Sequence, residues 1–289
     1  MKKNLFISQK ATLSRDVKSL KITLDEKEVK IPLGIIEHIF IIGSQINLTN
    51  SARNMLLEHN KSIFYYSSSY KMQGVLSNTK LQSNYRNRLL QYEAFNQKSL
   101  KIAKFIVSKK IESMMGVFKL PYLSKSIQKS FEIEKITELL GVEGYATTQM
   151  FKKFKTFLEI KNINDFTKRE YHPTKDKVNG ILSFTYTLYS NLLYGLVLSE
   201  GYDPYIGFLH KKRGTHHAFV SDIIEFDRAD LTLFVLKLFT YEYLNNTHFE
   251  DIFLNKEGRK LFLEHFNNFS TEQMEKSKHN LYVIGEQLV

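Results

Sequence analysis

The amino-acid sequence predicts an α+β chain, with a small N-terminal β-rich domain over residues 1–80 and a larger all-α domain over 81–289. Two observations carry this reading. Apolar residues alternate with polar ones in the first 80 residues, and from about Leu81 onward the apolar spacing changes to that of helix faces. The 289 residues, 43% hydrophobic and 25% charged, have globular proportions and are enough for one large domain or two ordinary ones.

Leu20, Ile22 and Leu24 alternate with polar neighbours, and Val29 and Ile31 do so again after the charged turn Asp25-Glu26-Lys27-Glu28. The apolar run Ile35 to Ile42 closes at Gly43-Ser44. Thr49 to Asn60 then reads as a short helix entered through a Thr or Asn cap. Ile63 to Tyr66 and Met72 to Leu76 add two strands. Beyond them, Leu89, Tyr92, Ala94, Phe95, Ile102, Phe105 and Ile106 are spaced for helices. Pro121, Pro173 and Pro204 punctuate the helical region. No internal repeat and no long heptad run is present.

Composition excludes several chemistries. With no cysteine there are no disulfides, thiolate metal sites or cysteine nucleophiles, so any metal must sit on oxygen and imidazole. Glycine-rich phosphate loops, a nucleophile-elbow serine and a paired-histidine metalloprotease motif are all missing. The net charge of +11, spread as +6 over the first 80 residues and +5 over the rest, points to an anionic partner. Leu5-Phe6-Ile7 is too short for a signal-peptide core, and runs such as Leu192 to Leu198 fall short of the roughly 20 residues of a membrane span. A soluble, cytoplasmic protein with no membrane partner is expected.

Three polar segments stand in apolar surroundings. In the first, Glu143 lies between Gly141 and Gly144 and opens a helix towards Phe157, with Phe151, Phe154 and Phe157 at core spacing and Lys152, Lys153 and Lys155 free for solvent or phosphate. A glutamate at a helix start is also favourable without any function. In the second, His210 ends Gly201 to His210 and is followed by Lys211, Lys212 and Arg213. A lone histidine in such a place is commonly a satisfied core residue, yet the adjoining cations would suit a phosphate. In the third, Asp222 and Glu225 share a helix face with about 4.5 Å of axial rise between them. They serve equally as a helix N-cap and a first-turn acid, with Ser221 the other cap candidate. Two or three carboxylates with one histidine match the ligand set of Mg²⁺ or Mn²⁺, and a divalent ion beside basic surface points to phosphodiester chemistry.

In order and spacing, these segments resemble the CRISPR-associated integrase family, which installs new spacers during CRISPR adaptation. The likeness includes Ile31-Pro32-Leu33, the helix from Arg86 to Ala94, Gly141-Val142-Glu143-Gly144, and Pro173 through Asp176, Asn179, Leu182, Ser183 and Tyr186. It continues through Gly201 to His210, Asp222-Ile223-Ile224-Glu225 and Arg228. The resemblance implies an N-terminal dimerisation domain, a C-terminal catalytic domain, a homodimer, and two dimers bridged by the small second protein of the adaptation module. It implies Glu143, His210 and Glu225 as metal ligands, Asp222 as an auxiliary carboxylate, Tyr186 near the site and Asn179 as its buttress. Ala218, Thr174 and Asp227 depart from the common pattern, and Glu225 stands where some members carry aspartate.

The implied reaction is metal-dependent attack of a spacer 3′-hydroxyl on a phosphodiester of the CRISPR repeat. Double-stranded DNA would be held by cations, among which Lys211, Lys212 and Arg213 are the first choices, so binding should weaken steeply with salt. Activity should fall as pH drops through the pKa of His210, because a ligating imidazole is neutral. With water as nucleophile the same site would be an endonuclease. Two alternatives are a DNA nuclease without integration and a non-catalytic nucleic-acid-binding protein whose carboxylates are helix caps.

Overall fold

The computed structural model describes residues 2–25, 27–68, 72–78, 85–171, 174–211, 214 and 216–289. It has two compact units, Met1–Asn84 and Tyr85–Val289, so the boundary expected at residue 80 falls in the stretch 79–84, outside the described residues. The architecture is α+β, with strands first and long helices after.

In the N-terminal unit, β1 (Lys3–Ile7), β5 (Ile36–Ile42), β7 (Ile63–Tyr66) and β8 (Met72–Leu76) form one sheet in that order. The first three strands are parallel and β8 is antiparallel. A second sheet has the order β4 (Lys27–Pro32), β3 (Ser19–Leu24), β2 (Ala11–Asp16), β6 (Ile46–Leu48). Alternation turns Ala11, Leu13, Leu20 and Ile22 inward, where they meet Ile39 and Ile41 of β5 and the buried face of α1 (Asn50–Glu58). Thr49 caps α1 by accepting the Ala52 N–H at 3.3 Å. β5 is buried on its other face too: Phe6, Phe40 and Phe64 occupy facing positions on three strands, with ring centroids 4.6 and 4.8 Å apart. Gly43, at φ +95°, supplies the left-handed turn that ends this strand.

His38 introduces a pH dependence here. It is buried on β5, accepts the Ser62 N–H through Nδ1 and stands edge-on to Phe64. Burial lowers its pKa to about 4, and the charges of Lys61 and Lys2 add to this against the opposing effect of Glu37. Because the folded value lies below the unfolded one, the unfolded chain binds more protons between about pH 6.5 and 4, and stability falls as the solution is acidified through that window. The loss attributable to this residue is about 3 kcal/mol. Urea unfolding from pH 7 to 4 should show that much extra acid sensitivity in the wild type over His38→Gln, and identical slopes would contradict it.

The C-terminal unit contains α2 (Tyr85–Phe118), α3 (Ser124–Glu132), α4 (Ile136–Ile160), α5 (Lys177–Ser199), α6 (Ala218–Thr240) and α7 (Lys256–Leu288). It is not purely helical, since β9 (Phe249–Glu250) and β10 (Phe253–Leu254) form a short hairpin before α7. α6 is buried along nearly its whole length and packs against α2, α4, α5 and α7. Residues Lys177–Leu198 of α5 are long and apolar enough to cross a membrane by length and composition, a stretch not foreseen from the shorter apolar runs. Two-thirds of that window (67%) is buried within the protein.

Two helix starts differ from the sequence expectation. α4 begins at Ile136, so Glu143 lies inside the helix rather than opening it. Gly141 and Gly144 each lower helix propensity by about 1 kcal/mol, but Leu139, Val142 and Ala146 form a continuous buried stripe that carries the helix through them. α6 begins at Ala218, so neither Ser221 nor Asp222 is an N-cap. Phe157, expected in the core with Phe151 and Phe154, is instead exposed beneath the ammonium of Lys153.

Candidate active site

Glu143 and Glu225 belong to different helices, α4 and α6, and meet at the ammonium of Lys110 from α2. Lys110 Nζ ion-pairs with Glu143 Oε1 and Glu225 Oε2, and the lysine and Glu225 side chains are only 5% and 3% exposed. Thr147, one turn along α4, donates its hydroxyl to Glu143 Oε1 at 2.8 Å, and Arg228 Nη2 donates to Glu225 Oε1 at 2.6 Å. Burial opposes ionisation of Glu225, but Arg228 and Lys110 outweigh it and hold the carboxyl well below the usual range. Burial likewise opposes the charge on Lys110. Glu225 and Glu143 overcome this, and the ammonium stays protonated.

His210 is tied by Asp222 to α6, one turn before Glu225. The backbone N–H groups of Phe208, Leu209 and His210 all donate to the Asp222 carboxylate, the last two at 3.1 and 2.9 Å. His210 Nδ1–H donates to Asp222 Oδ1 at 2.8 Å. Asp222 is fully buried and anchors the histidine loop from α6. Its hydrogen bond fixes the tautomer and leaves Nε2 of a neutral imidazole as the free lone pair. Burial lowers the histidine pKa, yet the Asp222 hydrogen bond and the Glu225 charge raise it more, so the net shift is upward. His210 is therefore within electrostatic reach of Glu225 and Lys110.

The loop reaches α6 because residue 207 is glycine. A Cβ there would lie 2.7 Å from the Ala218 carbonyl carbon and 2.7 Å from the His210 carbonyl oxygen. From the other side, buried Gln91 of α2 grips the turn: Nε2 donates to the Asp203 and Ile206 carbonyls at 2.9 and 2.7 Å, and Oε1 accepts the Asp203 N–H at 2.8 Å.

Tyr186 and Asn179 form a second line of support. The Tyr186 ring lies under the Arg228 guanidinium at 4.4 Å, and its buried hydroxyl donates to Thr232 Oγ1 at 2.7 Å. Arg169 approaches the same ring at 5.6 Å and the exposed Tyr171 ring at 4.4 Å. Asn179 accepts from Arg169 Nη1 and the Glu170 N–H at 2.9 and 3.0 Å, and donates to the Lys168 carbonyl at 2.9 Å. Among the described residues, Asn179 is linked to Glu225 through Arg169, Tyr186 and Arg228. Asp227 faces away from the site, towards α7, where Gln273, Ser277 and Asn280 donate to it. Burial pushes its carboxyl up to about 7.

Among the proposed DNA contacts, Lys211 is exposed, while Lys212 and Arg213 lie outside the described residues, as does Pro173. Lys110, Gln91 and Arg169 were not anticipated. The first had a readable signal: it falls on the α2 stripe of Ala103, Ile106, Val107, Ile111 and Met114, where a charge is out of place.

Comparison with known proteins places this arrangement in a family. The chain is 27% identical over 273 residues to CRISPR-associated endonuclease Cas1 1 of Thermodesulfovibrio yellowstonii, covering 86% of this chain and 84% of that protein. A CAS1 protein from Thermotoga maritima shares its fold with a TM-score of 0.82 at 22% identity, over 100% of this chain and 97% of that one. A casposase bound to integration product does so with a TM-score of 0.78 at 21% identity, over 99% and 91%. The profile of the CRISPR associated protein Cas1 family matches residues 5–268, and the chain belongs to that family.

Proposed function

We propose that this chain is a metal-dependent DNA integrase and endonuclease that inserts spacer DNA into a CRISPR array by 3′-hydroxyl transesterification. The observation that carries the reading is the meeting of Glu143 and Glu225 at one buried cation, with His210 fastened to Asp222 one turn before Glu225 on α6. Membership of the Cas1 family, and the likeness to a casposase bound to integration product, support it.

The donor set fits Mg²⁺ or Mn²⁺. Glu143 and Glu225 offer carboxylate oxygens and His210 a single imidazole nitrogen. Glu225 Oε2 is buried, accepts no hydrogen bond among the described residues, and faces only a cation. As the side chains stand, no group of three His, Asp or Glu among the described residues is arranged to hold a metal, and the Lys110 ammonium contacts both carboxylates. A divalent ion held by Glu143, His210 and Glu225 would supply Lewis-acid stabilisation of phosphate charge.

The chain's own residues do the rest. Basic surface including Lys211 binds the DNA phosphates, Asp222 holds the His210 tautomer that leaves Nε2 with its lone pair, and Arg228 keeps Glu225 ionised. The 3′-hydroxyl oxygen forms a bond to phosphorus as the bond to the departing strand's 3′-oxygen breaks; the attacking hydroxyl gives its proton to solvent and the departing oxygen takes one from solvent, leaving a new 3′-hydroxyl. The number of phosphodiester bonds is conserved, so no nucleotide cofactor is required, in keeping with the missing phosphate loops. In this reading the N-terminal unit joins a homodimer, the small second adaptation protein bridges two dimers, and the protein works in the cytoplasm.

The test is product analysis. Short duplex DNA with 3′-hydroxyl ends and a plasmid carrying a repeat should yield covalently joined strands with Mg²⁺ or Mn²⁺ and none with chelator. Shortened fragments alone would favour a nuclease, and unchanged DNA would favour a binding protein.

A further inference from the structure

Lys110 has no part in the ligand set, yet its ammonium contacts both of the carboxylates in it. Its stem is fixed in the apolar stripe of α2, and its Nζ contacts one oxygen of each carboxylate. Glu225 already has a cationic partner in Arg228 through its other oxygen, so Lys110 is not needed merely to neutralise that glutamate. What it does satisfy is the pair: without it, Glu143 and Glu225 would face each other as like charges in a largely buried site. An ammonium and a divalent ion cannot both occupy the space between the same two oxygens, because their charges repel at contact distance.

We propose that Lys110 is a resident counter-ion that holds the cation position between Glu143 and Glu225 in the metal-free protein and is displaced from it when a divalent cation binds. This rests on the metal-site reading given above. Lys110 is a positioning residue under this proposal: it draws the two carboxylates to one point, and it competes with the metal it prepares for. The consequence runs against the usual expectation for a residue in an active site, since its removal strengthens metal binding while weakening the empty protein.

The experiment is Mn²⁺ titration of the full-length protein, followed by the loss of the free-ion electron paramagnetic resonance signal, paired with thermal unfolding in chelator and in excess Mn²⁺. Lys110→Met should bind Mn²⁺ at least tenfold more tightly than the wild type. It should also have a lower Tm in chelator and a larger Tm rise on adding Mn²⁺. Lys110→Gln, which keeps a hydrogen-bond donor without charge, should behave in the same direction and serves if the methionine variant does not fold. Wild-type or weaker affinity in the lysine variants overturns the proposal. If Glu143→Gln still abolishes binding in that case, the metal site itself survives. Absence of Mn²⁺ binding in the wild type and the lysine variants overturns both.

Discussion

Glu143→Gln should lose strand transfer by at least about 10²–10³-fold, the scale seen when one well-placed electrostatic group is removed from an active site, while binding duplex DNA as the wild type does. Glutamine keeps an oxygen for the Thr147 hydroxyl and the Lys110 ammonium, so the helices stay packed. What disappears is the negative charge of one proposed ligand. The measurement is a gel assay of joined products beside a binding isotherm on the same DNA. Retained activity would remove Glu143 from the chemistry, and lost binding would place its role in DNA recognition instead.

Asp222→Asn should cost both stability and activity. The carboxylate takes four hydrogen bonds in two pairs, from Phe208 and Leu209 on one oxygen and from the His210 backbone and ring on the other. An amide offers one oxygen, so whichever way it turns, two donors face its NH₂. Hydrogen bonds to charged groups contribute about 1.5–3 kcal/mol each, so the loss is about 3 kcal/mol or more. For a unit of this size, Tm should fall on the order of 10 °C. Freed from its anchor, His210 should show metal affinity and activity reduced about 10–100-fold. Calorimetry and Mn²⁺ titration check the two parts separately. An unchanged Tm would mean that the loop does not depend on this carboxylate.

The N-terminal sheets were legible in the sequence because strand alternation is local: the burial of Leu20 and Ile22, and the cap at Thr49, follow from neighbours a few residues away. The sequence places the start of α4 too late, and the cap alternative for Ser221 or Asp222 falls inside α6, for one physical reason. Gly141 and Asp222 have the chemistry of helix ends, but tertiary packing of Leu139, Val142 and Ala146, and of nearly all of α6, overrides local preference. The site was legible only in part. Glu143, His210 and Glu225 were named from composition and family resemblance, but no spacing in the chain shows that α2 carries a lysine to the point where the two glutamates meet. The sequence names Asp222 as an auxiliary carboxylate close to the site; its grip on the histidine loop is not legible there, because three of its four donors are backbone amides that leave no trace in residue identity.

The most direct test is a crystal of this protein grown with Mn²⁺, with anomalous scattering collected to locate the ion. A single peak bonded to carboxylate oxygens of Glu143 and Glu225 and to Nε2 of His210, with the Lys110 ammonium moved aside, is the predicted result. A peak elsewhere, or an ammonium still seated between the two glutamates at saturating Mn²⁺, would contradict it.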